Sequence, residues 1–224
     1  MRTRLSILSA CVLLFAAPTA WSLGDEPKSV PPATPGTERS SQDQAVILYN
    51  DGIDDVRRAD NFDASAAQLS GAAKTHATDE ARTLYSTSLR KFQQVVQLNP
   101  KMQEGWNYLG YTHRKLGDYD DALDAYDHAL ALRPTYPEAI EYRGEAFLAM
   151  NRIADAQQSY LDLFATNRAL AGKLLDAMKN WIAAQKSAVD PAAANALDKW
   201  VQERAQIAGQ TASLTREGTA SSWH

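Results

Sequence analysis

Apolar side chains recur every three or four positions through most of the stretch from residue 42 to residue 208, the spacing that gathers them along one stripe of a helix. Leu48, Tyr49, Gly52 and Val56 set the first stripe, and Leu89, Phe92 and Val95 set another that Pro100 closes. Trp106 and Leu109 head the next, followed by Tyr126 and Leu130. Leu170, Leu174, Leu175, Met178, Trp181 and Ile182 then give a further helix, and Ala194, Leu197, Trp200, Val201 and Ile207 a last one. The breaks between stripes carry their own signals. Gly117 reads as a helix C-terminal glycine and Asp118 as the next N-cap, with Asp120 and Asp121 near the positive end of the dipole. Pro134 stops a helix, and Asp190-Pro191 reads as an N-cap followed by a first-turn proline. The pattern predicts an all-α chain.

The stripes repeat. Shifting Trp106–Pro134 forward by 34 residues places Tyr108 on Tyr142, Gly110 on Gly144, Asp121 on Asp155, Ala122 on Ala156 and Tyr126 on Tyr160. Shifting it back by 34 places Pro134 on Pro100, Tyr126 on Phe92 and Leu123 on Leu89. A fixed period in this range means stacked copies of one unit. Small residues at Gly110 and Ala122 suit a close helix–helix approach, where a larger side chain would cost roughly 1–3 kcal/mol.

Trp106, Leu109, Gly110, Ala122, Tyr126, Ala129 and Pro134 together resemble the tetratricopeptide repeat, with His113 in place of the pattern's second aromatic. The following copy keeps Gly144, Phe147, Ala156 and Tyr160, has Ile140 and Arg143 at the Trp and Leu positions, and lacks a closing proline. The resemblance implies a right-handed superhelical solenoid of helix-turn-helix units, with repeats at 101–134 and 135–168 and an atypical one at 42–100. In that atypical unit Gly52 precedes Gly110 by 58 residues instead of 34, so about 24 extra residues lie between, around Asp63–Asp79. They are expected as a long surface loop or a short additional helix. Residues 169–208 are expected as capping helices over the last repeat, and 209–224 as a disordered tail.

The resemblance also implies a concave face lined by the first helix of each pair. Carried over by position from the conserved glycine, its lining is Tyr49, Ile53, Asn107, Tyr111, Glu141 and Glu145, with Arg114 and Leu148 one turn further on. Relatives that clamp a C-terminal carboxylate use Lys, Arg and Asn there. This chain has two glutamates and aromatics, so an acidic ligand would meet like charge, and the expected ligand is an extended or helical peptide with apolar and basic side chains. The alternative is that the groove is filled by the chain's own tail or linker.

Residues 1–22 read as a secretory signal: Arg2 and Arg4, the apolar stretch Leu5–Ala17, then the small-x-small Ala20-Trp21-Ser22. A retained anchor and a lipidated Cys11 remain alternatives, and the expected location is periplasmic. Residues 23–41 hold four prolines among Gly, Ser and Thr and read as a linker. Composition (45% apolar, 22% charged, net −4) suits one globular domain with tails and shows no basic face for nucleic acid. Nor is membrane contact expected beyond the leader. Without residues 1–22 the chain has 21 bases, 27 acids and no cysteine, which excludes thiolate catalysis and disulfides in that form.

His76, His113, His128 and His224 nowhere sit at i, i+3 or i+4 as a metal site requires, and the acids Asp118–Asp124 lack the glycine and closing glutamate of a calcium loop. No phosphate loop or nucleophile motif is present. The expectation is a scaffold or adaptor without cofactor, metal or catalytic residue, binding a protein or peptide. Two alternatives stand beside it: an accessory subunit of an envelope enzyme or assembly machine, for example in cytochrome maturation or wall synthesis, and self-association through Trp181 and Trp200.

Overall fold

The computed structural model describes residues 27–30, 40–185 and 191–220, which exclude the leader 1–22 and most of the linker. Among them are eight helices: α1 (Ser41–Ala66), α2 (Gly71–Leu98), α3 (Gln103–Leu116), α4 (Tyr119–Leu132), α5 (Pro137–Ala149), α6 (Ile153–Thr166), α7 (Arg168–Gln185) and α8 (Pro191–Ala220). Consecutive helices pack antiparallel as α1/α2, α3/α4 and α5/α6, each pair leans on the next, and α7 and α8 follow. First helices also touch across pairs, α1 with α3, α3 with α5 and α5 with α7. The result is an all-α solenoid.

Glycines set the spacing. A Cβ on Gly110 would stand 2.7 Å from the Tyr126 ring and 3.0 Å from the Ala122 carbonyl oxygen. At Gly52 it would meet Phe92 at 2.7 Å, so the same aromatic of the second helix presses on the same glycine in both units. At Gly144 the intruder is Leu174 of α7, also at 2.7 Å, which shows how the last pair is closed by the helix that follows it. Tyr160, the residue equivalent to Tyr126, instead stacks on Phe164 and meets Trp200 of α8 edge-on at 5.2 Å.

The turns follow the sequence expectation at Gly117 and depart from it at Asp118. Gly117 is left-handed (φ 94°), and the Asp118 N–H donates to the His113 carbonyl at 2.9 Å, closing α3 as expected. Asp118, however, makes no side-chain capping bond to α4; its carboxylate lies 3.5 Å from His113 Nδ1. In the next unit Asn151, at φ 60°, takes the left-handed position that Gly117 takes in the first, and the Arg152 N–H donates to Phe147 O at 2.8 Å. Where no proline closes α6, Asn167 ends it by donating to Leu163 O at 2.6 Å, and its Oδ1 accepts from the Leu170 N–H at 3.1 Å to start α7.

The insertion is neither a loop nor a separate short helix. It lengthens both helices of the first hairpin, α1 to 26 residues and α2 to 28, and leaves only residues 67–70 as a connection. Ala59, Ala66, Ala77 and Ala81 are buried along this extension, and small side chains on both strands of a hairpin allow it to continue at close range. Residues 209–220, expected as a disordered tail, continue α8. The N-cap expected at Asp190 lies outside the described residues.

Candidate functional site

The eight positions carried over from the repeat pattern do come together on α1, α3 and α5, but as a closed seam. Tyr49, Ile53, Asn107, Tyr111, Glu141 and Leu148 are all buried, and Arg114 and Glu145 keep only about 15% of their side chains exposed (15% and 14%). No residue of α3 is exposed. The physical reason is aromatic bulk on adjoining first helices. Tyr49 meets Tyr108 edge-on at 5.7 Å, Phe92 stacks on Tyr108 at 5.3 Å, and Tyr111 meets Tyr142 at 5.0 Å, so large rings bridge neighbouring units at the depth where a groove floor was expected.

Two polar clusters sit within this seam. In the first, Asp60 of α1 accepts hydrogen bonds from the Tyr85 hydroxyl at 2.5 Å and the Tyr111 hydroxyl at 2.7 Å. Lys115 of α3 pairs with Asp63 at 2.6 Å and approaches Asp60 at 3.7 Å. Burial, reinforced by the Asp60 carboxylate, pushes both phenols well above their ordinary value, so they remain donors. The cluster sits where the lengthened hairpin begins, with Asp60 and Asp63 on α1 and Tyr85 on α2.

The second cluster joins α3 and α5. Arg114 pairs with Glu145 and lies over the rings of Tyr111 (5.1 Å) and Tyr142 (5.5 Å). Burial alone would weaken the guanidinium's charge, but the Glu145 carboxylate outweighs it and holds Arg114 protonated. Beside it Glu141, only 2% exposed, is pushed up to about 8, first by burial and then by the neighbouring Glu145 charge. Glu141 is therefore a neutral acid at pH 7, able to donate to Glu145.

Polar groups that the sequence reading did not single out lie at the first end of the seam. The Lys28 backbone N–H donates to Asn50 Oδ1 at 2.8 Å, and Asn50 Nδ2 donates to the Lys28 carbonyl at 2.7 Å. The Lys28 ammonium pairs with Glu104 of α3 at 2.9 Å and stands 5.8 Å from the centre of the Tyr49 ring. Part of the linker thus rests on α1 and α3. No sequence signal ties residue 28 to residues 50 and 104, because the contact is made across elements.

A separate cleft of about 310 Å³ lies between α4, α5 and α6. Its cations are already matched: Arg143 with Asp127 at 2.6 Å and Arg152 with Asp155 at 2.7 Å, both guanidinium groups near the Phe147 ring. His128 stacks on Trp106 at 4.3 Å. Among the described residues no three His, Cys, Asp or Glu side chains converge as a metal site, and no helix is long and apolar enough to cross a membrane.

Residues 104–136 match the family profile of the tetratricopeptide repeat. A chain of the solved structure titled "CopN-Scc3 complex" aligns over 66% of this chain and 80% of its own length, at 20% identity and a TM-score of 0.43.

Proposed function

We propose that the chain, whose residues 104–136 match the tetratricopeptide repeat, is an exported scaffold that holds a protein or peptide partner rich in apolar and basic side chains, and that it does so without catalysis. The observation that supports this reading is the stack itself. Three hairpins place their first helices side by side, and beside the aromatic rings of the seam carboxylates hold cations, Glu104 with Lys28, Glu145 with Arg114 and Asp63 with Lys115. Glu104, which takes the Lys28 ammonium, would repel a carboxylate ligand in its place and favour a cation. The eight seam positions are too buried to be the contact surface as they stand, so the partner meets their rim or enters as the seam opens.

A peptide array probed with the full-length chain tests the partner class. Enrichment of sequences combining lysine or arginine with apolar residues is expected, and a preference for acidic C-termini, or no enrichment at all, overturns the reading. Export rests on the leader and is tested separately, by fusing residues 1–40 to a reporter that is active only outside the cytoplasm. Self-association through Trp181 and Trp200 is the less favoured reading, since both side chains pack against this chain's own core, Trp200 edge-on to Tyr160. Light scattering is expected to report a monomer.

A further inference from the structure

The contact between residues 27–30 and the first two units is built as peptide recognition is built. A side-chain amide that accepts from the N–H and donates to the C=O of one and the same residue requires that residue to be extended, with both groups on one side, as across an antiparallel ladder. Asn50 makes this double bond to Lys28, at 2.8 and 2.7 Å, so it reads backbone and carries no demand on side-chain identity. Identity is read one helix away. Glu104, whose side chain is only 16% exposed and whose Oε1 also accepts from Gln103 Nε2 at 3.1 Å, takes the Lys28 ammonium at 2.9 Å. A carboxylate that far from solvent favours a cation and penalises a neutral or acidic replacement. Tyr49, fully buried beneath, supplies the ring beside the ammonium.

One turn along α3 from Glu104, Asn107 is 1% exposed, and neither its amide nitrogen nor its oxygen has a hydrogen-bond partner. A dehydrated amide without partners is costly in a folded chain, and it lies on the same helix, three positions beyond the residue that holds Lys28. It is a second backbone-reading group of the same chemistry as Asn50, still unused.

We infer that Asn50, Glu104 and Tyr49 form a receptor for an extended, lysine-bearing peptide segment, that Lys28 occupies it in cis as the protein's own stand-in, and that a partner's segment displaces Lys28 and continues onto Asn107. The inference rests on the scaffold reading above and narrows it to one site, one backbone conformation and one side chain. The occupant in cis acts as a competitor at high effective concentration, so only a segment that also satisfies Asn107 gains over it.

The test uses the full-length chain and a labelled peptide of residues 24–33, read by fluorescence anisotropy. Wild type is expected to bind the peptide weakly, and the Lys28→Glu chain at least about tenfold more tightly, because the competitor in cis is repelled by Glu104. Glu104→Lys in the chain that keeps Lys28 also repels the competitor in cis, abolishes binding of this peptide and confers binding of a peptide with glutamate in place of its lysine. Circular dichroism melts of all variants verify that the fold is kept. Equal binding to wild type and Lys28→Glu, binding indifferent to Glu104→Lys, or no binding to any variant overturns the inference. Enrichment on the peptide array would survive each of these outcomes, so a scaffold that uses another surface remains distinguishable from one that does not bind peptides at all.

Discussion

Glu141→Gln isolates the energetic consequence of the second polar cluster. In the folded chain burial and the Glu145 carboxylate hold the Glu141 carboxyl up at about 8, while in the unfolded chain it titrates near 4.5. Between those pH values the folded state keeps a proton that the unfolded state has released. Stability therefore falls as pH rises from about 4.5 to about 8, and levels off beyond. The steepest fall is about 1.4 kcal/mol per pH unit, and the whole interval amounts to something on the order of 2–5 kcal/mol. Glutamine preserves the volume and still donates to Glu145, but has no proton to lose. Urea unfolding followed by tryptophan fluorescence at pH 5, 6.5, 8 and 9 makes the comparison. The two chains should coincide at pH 5, and the variant should exceed wild type by about 2–5 kcal/mol at pH 9, with unchanged urea dependence. If the difference between the two chains does not grow with pH, Glu141 is not a buried neutral acid, and the account of this cluster is wrong.

Three further outcomes follow from the packing. Gly110→Ala should lower stability by about 1–3 kcal/mol, because the new methyl stands 2.7 Å from the Tyr126 ring, whereas Gly172→Ala, with nothing within 4 Å, should raise it by about 0.5–1 kcal/mol; thermal melts of the two variants decide. Arg114→Met should cost about 3–5 kcal/mol by leaving Glu145 buried without its cation, and Arg114→Met with Glu145→Leu should recover most of that loss in a double-mutant cycle. Asn151→Gly should stabilise by about 0.5–1 kcal/mol because φ is 60° there, and Asn151→Val should destabilise; urea midpoints read both.

Spacing along the chain was enough to locate each helix of the repeats 101–134 and 135–168, the left-handed turn at Gly117 and the stop before Pro134, since those depend on residues within one or two turns of each other. It was also enough for the close approach at Gly110, because Gly110 and Tyr126 stand 16 residues apart within one repeat, a spacing that Gly144 and Tyr160 share although Leu174 makes the contact there. The helical extension of the first hairpin was not legible. Its alanines favour helix, but the segment has no stripe of large apolar side chains to mark a helix face, and burial of Ala66, Ala77 and Ala81 shows where the two helices meet. The seam illustrates the same division. Register placed Tyr111, Arg114, Glu141 and Glu145 on the proper face, yet whether that face stands open depends on how far neighbouring units are apart. That distance is set by rings such as Tyr111 and Tyr142 meeting across units. Sequence by itself determined which side each residue faces, because helical periodicity is local. Only the tertiary structure decided which of those sides are closed, that Glu141 keeps its proton, and that Lys28 lies on Asn50 and Glu104, because burial and charge pairing arise between residues whose separation along the chain carries no information about their distance in space.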